Sequence, residues 1–257
     1  MPIMRLIVVK DYDALSRAAA EYVAAKVRGK PDLNISFCTG RSVVGFHREL
    51  VGLYERRLVS FAKVRAFNLD ELYGLPSSDP KSFDAYLQES LFRRTDFDPG
   101  RVRLLDLDSV DPKVACAAYE EAIEAAGGID LQIVGIGPNG HVGLNEPGSS
   151  FGSRTRVVEM TEVTRLGQVG LFGSFEAVPV KGVTRGVMDI MRSREVLMLA
   201  SGESKTAIVA TAMAGPVTEA VPSSVLQLHP AFTLIADEAA ARDLLAAVPR
   251  GMAVERR

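Results

Sequence analysis

Short apolar, β-branched runs alternate with longer amphipathic stretches along almost the whole of this 257-residue chain. Candidate strands fall at 5–9, 33–38, 64–68, 102–105, 131–136, 195–200 and 232–236. Several are continuous apolar runs, as expected for strands buried on both faces of a parallel sheet. Candidate helices fall between them, at 12–28, 44–56, 82–92, 112–126, 179–191, 204–213 and 238–247. In the first, Leu15, Ala18, Ala19, Tyr22 and Val23 share one stripe, with Arg17, Glu21 and Lys26 turned away. This alternation predicts an α/β fold, a mostly parallel sheet with helices on both faces. An eight-fold barrel is the competing arrangement at this length. The uneven gaps disfavour it, above all the aperiodic Gly- and Ser-rich stretch 140–154. With no repeat, linker or low-complexity tract, a single domain over 1–257 is expected, ending in a flexible tail over about 249–257.

Charge and composition remove several classes of function. The 30 basic and 32 acidic residues are spread evenly, for a net charge of −2. With no basic arm, nucleic acid is not expected as the main partner. No apolar run approaches the roughly 20 residues that cross a bilayer, so no membrane partner is expected. Cys38 and Cys116 have no metal-ligand spacing and fit a reducing compartment. The opening segment, 1–9, is too short and too strand-like for a secretory signal, and a cytoplasmic location is expected.

In an open parallel sheet, ligands bind beyond the carboxyl ends of the strands, and four such junctions carry chemistry. The first, Thr39-Gly40-Arg41-Ser42, joins a strand to a helix. Its backbone N–H groups, hydroxyls and guanidinium suit an anion, and an ordinary turn with Ser42 as N-cap fits equally well. The second is Phe67-Asn-Leu-Asp70-Glu71, two carboxylates at the working edge. A partly desolvated Asp70 has its pKa raised towards the range of a general base; the alternative is that Asp70 or Glu71 caps the next turn or pairs with an arginine. The third is Gly135-Ile-Gly137-Pro-Asn139-Gly-His141-Val-Gly-Leu-Asn-Glu146-Pro-Gly148. Its glycines, Gly137 among them, let the backbone approach a ligand. His141 lies between Asn139 and Glu146, so a carboxylate is available to orient the imidazole. The loop matches neither the dinucleotide fingerprint nor a Walker loop. The fourth is Ser201-Gly-Glu-Ser-Lys205, with a lysine in the first turn of a helix. A cation there is unfavourable unless an anion faces it; a lysine reaching solvent on its flexible stem is the plain alternative.

These stretches, with Ser153-Arg-Thr-Arg156 and Leu226-Gln-Leu-His-Pro230, resemble the glucosamine-6-phosphate deaminase (isomerase) family, in order, over about residues 11–245. The resemblance implies a modified doubly wound, Rossmann-like α/β sheet. It also implies conversion of D-glucosamine 6-phosphate and water to fructose 6-phosphate and ammonia, a hydrolytic deamination coupled to isomerisation. No cofactor and no metal are implied. Asp70 looks like the base that moves a proton from C2 to C1, and His141 like the group that opens the sugar ring. Glu146 and Asn139 look like the partners of His141. Lys205, Gly40 and Ser42 match the family's phosphate site. An aldose–ketose shift needs one base reaching two adjacent carbons, and the 6-phosphate supplies binding energy remote from them.

Two positions depart from the family. Its loop usually reads Thr-Gly-Gly/Ser-Thr-Pro, whereas Arg41 and Val43 interrupt that pattern here. A phosphate arginine of the family falls on Gly170, and Arg41 is expected to take over its contact. In the family's allosteric site Ser149 and Arg156 match, but a lysine falls on Val158, so that regulation is not expected. The nearest rival is 6-phosphogluconolactonase, whose loop continues towards Ser-Leu-Phe-Pro rather than Asn-Glu-Pro. A galactosamine 6-phosphate isomerase-deaminase and a non-catalytic sugar-phosphate sensor are the other readings. Oligomeric state is left open.

Overall fold

In the computed structural model, which describes residues 4–108 and 111–257, the expected apolar runs pair into one parallel sheet. Residues 1–3 of the opening segment lie outside the described residues. The strands are β1 (Met4–Val9), β2 (Asn34–Phe37), β3 (Arg65–Asn68), β4 (Asp70–Leu72), β5 (Val102–Arg103), β6 (Leu131–Gly135), β7 (Arg156–Glu159), β8 (Lys181–Thr184), β9 (Glu195–Ala200), β10 (Phe232–Asp237) and β11 (Met252–Arg256). The α-helices are α1 (Tyr12–Gly29), α2 (Val44–Glu55), α3 (Phe83–Ser90), α4 (Pro112–Ala125), α5 (Glu162–Leu166), α6 (Val169–Phe172), α7 (Val187–Met191), α8 (Thr206–Ala214) and α9 (Glu238–Ala246).

Strands β11-β1-β10-β9-β6-β2-β3-β5 form the eight-stranded sheet in that order, every neighbouring pair parallel. Successive residues of β9 and β10 are buried whichever way they point, because helices cover both faces. The order reverses around β6: the chain turns outwards to β2, β3 and β5 on one side and to β9, β10 and β1 on the other. A crevice opens at such a reversal. One continuous core joins the sheet to α1, α2, α8 and α9. No helix among the described residues is long and apolar enough to cross a membrane.

Two expectations need correction. The stretch 179–191, read as one helix, is strand β8 followed by the short helix α7. Val183 and Thr184 are β-branched, and a Cβ on Gly182 would stand 3.0 Å from the Glu71 carbonyl and 2.3 Å from Leu144. Gly182 therefore lets β8 lie close to β4, and β4-β8-β7 form a small antiparallel sheet. The segment 249–257, read as a flexible tail, contains β11, which pairs in parallel with β1. Met252 packs on the core, Arg257 N–H donates to Val8 O at 2.9 Å, and Glu255 pairs with Arg5 at 3.4 Å. Its charged residues suit an exposed sheet edge.

The motif Leu226–Pro230 supports the fold. The His229 Nδ1 accepts from Ala231 N–H at 3.1 Å, so its Nε2 donates to Ser193 O at 2.9 Å. Gln227 donates to Ala212 O and Gly215 O, closing the last turn of α8.

Asp130 fastens the other end of the strands. Its buried carboxylate accepts from Asn34 N–H at 2.9 Å, from Lys30 at 2.8 and 2.9 Å and from Arg194 at 2.5 Å. Burial acts to raise its pKa, but these donors outweigh burial and lower it. Asp130→Ala should destabilise the protein at pH 7 by about 2 kcal/mol, mostly through the orphaned Asn34 N–H, since Lys30 and Arg194 are largely solvent-screened. Because the folded pKa lies below the unfolded value, the contribution is full above about pH 4 and fades as pH falls through the folded pKa. Urea denaturation of both proteins at pH 7 and pH 3 checks this: the gap should narrow at pH 3.

Candidate active site

The loops leaving the carboxyl ends of β2, β3, β6 and β9 enclose a cavity of about 690 Å3. Thr39, Gly40, Arg41, Ser42, Asp70, Gly137, His141 and Lys205 all line it. Asn139 and Glu146 stand behind His141 and touch it from the protein side. The four junctions singled out in the sequence thus converge on one site.

At one end, Gly40 turns the chain with a φ of +110°, and a single 3-10 turn, Arg41–Val43, leads into α2. No side chain caps either start, so Ser42 is not serving as an N-cap. Tyr12 fixes the loop, its hydroxyl donating to Arg41 O at 2.9 Å and accepting from Gly45 N–H at 2.8 Å. Among the described residues the Arg41 guanidinium donates only to Gly167 O, at 3.4 Å. Lys205 donates to Ile136 O at 2.7 Å, and burial, then the charge of Arg41, lower its pKa. Among the described residues neither cation pairs with a carboxylate. Two mutually repelling cations facing one cavity can be stabilised by a phosphate-like dianion. The Lys205 loop is itself clamped by Asp237, which accepts from Gly202 N–H at 2.9 Å and Ala240 N–H at 2.8 Å.

Asp70 lies where the chain passes from β3 to β4. Asn68 shapes this bend: its side-chain amide donates to Asp70 O at 3.1 Å while its carbonyl oxygen accepts from Leu105 N–H at 2.9 Å. The buried Tyr119 hydroxyl donates to Asn68 O at 2.6 Å. The next residue, Glu71, turns away and accepts from Leu72, Phe83 and Asp84 N–H groups at 2.7–2.8 Å, holding the start of α3. Glu71 therefore braces the start of α3, whose N-cap is Ser82, and Asp70 is left with its carboxyl towards the cavity. Asp70 is 6% exposed and has no hydrogen-bond or ion-pair partner for its carboxyl among the described residues. Burial, then the charge of Glu71, pushes its pKa up to about 8. A carboxyl so placed can exchange protons near neutral pH.

His141 sits in the turn that follows β6. Gly137 N–H donates to His141 O at 2.9 Å, and Gly140 N–H to Gly137 O at 3.0 Å. A Cβ on Gly137 would stand 2.2–2.3 Å from three imidazole ring atoms. Gly137 thus does more than admit a ligand, because it makes the space in which the imidazole ring lies. His141 Nδ1 is 3.5 Å from Glu146 Oε2. Asn139 joins them, its Nδ2 donating to Glu146 Oε2 at 2.8 Å and its Oδ1 accepting from His141 N–H at 3.2 Å. Burial acts to raise the Glu146 pKa, but hydrogen bonds from His141, Thr164 and Asn139 bring it down to about 2. A lasting carboxylate behind an imidazole can orient the ring.

Sequence reasoning missed the segment α5–α6, which supplies one wall through Val163, Thr164, Gly167 and Gln168. Thr161-x-x-Thr164 is a readable signal, since the Thr161 hydroxyl caps α5. Gly170 lies in α6, and nothing stands within 4 Å of the position its Cβ would take. Among the described residues, no group of three or more His, Cys, Asp or Glu side chains is placed to hold a metal ion.

Residues 10–234 match the family model described as glucosamine-6-phosphate isomerases/6-phosphogluconolactonase. The chain is 44% identical over 241 residues to a glucosamine-6-phosphate deaminase of Clostridioides difficile (strain 630), covering 94% of this chain and 97% of the relative. The solved structure of a monomeric glucosamine-6-phosphate deaminase superposes with a TM-score of 0.89 at 36% identity, over 92% of this chain and 99% of that one. A 6-phosphogluconolactonase from Trypanosoma cruzi shares the fold at 20% identity, with a TM-score of 0.75 over 93% and 96% of the two chains. Sequence, architecture and the convergence of the four loops agree, and the chain belongs to the glucosamine-6-phosphate isomerase/6-phosphogluconolactonase family.

Proposed function

We propose that this protein is a cytoplasmic deaminase that converts D-glucosamine 6-phosphate and water to fructose 6-phosphate and ammonia. The observation that carries this reading is the pairing of groups across one cavity. An unpartnered, buried carboxyl at Asp70 faces the space that His141, backed by Glu146, also reaches, with Arg41 and Lys205 at the anion end.

The phosphate binds at Thr39–Ser42 and Lys205, with Arg41 supplying the contact for which Gly170 has no side chain. His141 moves the proton between O1 and O5 that opens the ring, and the Glu146 carboxylate balances the charge it gains. Asn139 holds Glu146 and the His141 backbone in register. Asp70 then takes the proton from C2 and returns it to C1, while the C2 ammonium gives up one proton and O1 gains one, so that the C1 aldehyde becomes a hydroxymethyl group and an imine is left at C2. Water adds to that imine and ammonia leaves, so the step balances without an oxidant or reductant. A general base works best with a pKa near the operating pH, and the burial of Asp70 acts in that direction.

Three measurements test this. Ammonia release from glucosamine 6-phosphate is expected, and acid release from 6-phosphogluconolactone without ammonia would replace the reading with lactone hydrolysis. Galactosamine 6-phosphate as a third substrate identifies the preferred C4 epimer. Arg41→Ala should raise KM for the phosphosugar about tenfold or more, as for a lost charge-assisted pair, with a smaller effect on kcat; an unchanged KM would remove Arg41 from the phosphate site.

Asp70→Asn should lower kcat by about 100-fold or more. In the wild type, kcat/KM should keep rising up to about pH 8 instead of levelling off near pH 4. The same substitution should stabilise the fold at high pH. The folded pKa exceeds the unfolded value, so stability is lost as pH rises from about 4 to about 8. Asparagine removes that loss. Melting temperatures of the two proteins should diverge between pH 5 and pH 8, with the variant higher at pH 8.

A further inference from the structure

We infer that Thr164 is a positioning residue for His141: its hydroxyl meets the same ring nitrogen, Nδ1, that faces Glu146, and so keeps the ring proton on that nitrogen. The inference rests on the ring-opening role proposed for His141 and adds to it a fourth group carried on a separate element, α5.

The distances make the case. The His141 Nδ1 and Glu146 Oε2 are 3.5 Å apart, longer than a good N–H···O bond. Thr164 Oγ1 is 3.1 Å from the same Nδ1. The Glu146 oxygens already have other donors, Oε2 from Asn139 Nδ2 at 2.8 Å and Oε1 from Thr161 N–H at 3.1 Å. The imidazole therefore meets the hydroxyl before it meets the carboxylate.

Proton direction follows from the neighbours. Thr161 Oγ1 donates to Thr164 Oγ1 at 3.3 Å, while Thr161 accepts from Thr164 N–H at 3.4 Å and from Asn139 Nδ2 at 3.5 Å. The Thr164 proton is then free for Glu146, and the lowered Glu146 pKa includes a hydrogen bond from Thr164. The Thr164 oxygen accepts the Nδ1 proton of the ring, leaving the Nε2 lone pair bare. A bare Nε2 is what a group must present to take a proton from a sugar hydroxyl. Thr164 is 7% exposed, so water competes little for this hydroxyl.

The test pairs Thr164→Val, which keeps the shape and removes the hydroxyl, with Thr164→Ser, which keeps the hydroxyl, both in the full chain. Nitrogen-15 NMR of the imidazoles reads the tautomer without substrate. Three histidines are present, and His47 and His229 are buried. The wild type and Thr164→Ser should hold the His141 proton on Nδ1. Thr164→Val should give a mixture, because the remaining acceptor is 3.5 Å away. With glucosamine 6-phosphate, Thr164→Val should lose about tenfold or more in kcat with KM changed less than about twofold, and Thr164→Ser should recover at least about half of kcat. A wild-type His141 proton on Nε2, an unchanged tautomer in Thr164→Val, or Thr164→Ser as impaired as Thr164→Val would overturn the inference. If the wild type released no ammonia, the proposed function would fail while the tautomer measurement still decided the role of Thr164.

Discussion

A carboxyl group taken out of water without a cation beside it keeps its proton more tightly, and it raises the energy of the fold whenever it must ionise. Asp70 is in that position because its surroundings are fixed by backbone pairing. β3 ends at Asn68, β4 begins at Asp70, and the side chain of that first residue lines the cavity. Asn68 and Tyr119 hold the bend, and Glu71 is committed to the start of α3. The neighbouring carboxylate therefore offers Asp70 repulsion and no shared donor. The strain of this arrangement is electrostatic, and a sheet with well-packed faces can carry it.

His141 shows the opposite treatment. It lies over Gly137 in a space that any larger residue would fill, and its charged partner Glu146 accepts from donors on two chain segments, Asn139 Nδ2 and Thr161 N–H. One titratable group is starved of partners and the other is surrounded by them. In the proposed reaction, this contrast separates the proton acceptor, Asp70, from an imidazole that is held in one orientation.

Much of this was legible from residue order. The strands of the large sheet announce themselves because both faces are covered, which forces them to be apolar throughout. The junctions after β2, β3, β6 and β9 carry the polar residues that such strands exclude. The small sheet β4-β8-β7 was hidden, because its strands are short, partly polar, and paired over long separations. Gly182 leaves the room that β4 needs, a reason that appears only once the two strands lie together. β11 was missed for a related reason: Met252–Arg256 carries too little apolar character to predict pairing, and only the proximity of β1 supplies a partner. Thr161-x-x-Thr164 marks the start of α5, but the contact of Thr164 with a distant imidazole leaves no trace in local spacing.

The position of β1 has a further consequence. Among the described residues it is the first strand, yet its neighbours in the sheet are β10 and β11, more than two hundred residues away. During synthesis it leaves the ribosome with both edges bare, and neither partner exists until more than two hundred further residues have been made. Closing that gap is costly in chain entropy and slow. Over that whole interval of synthesis the nascent protein carries an apolar ribbon without its sheet partners, a surface on which chaperones can act and at which premature association between growing chains begins.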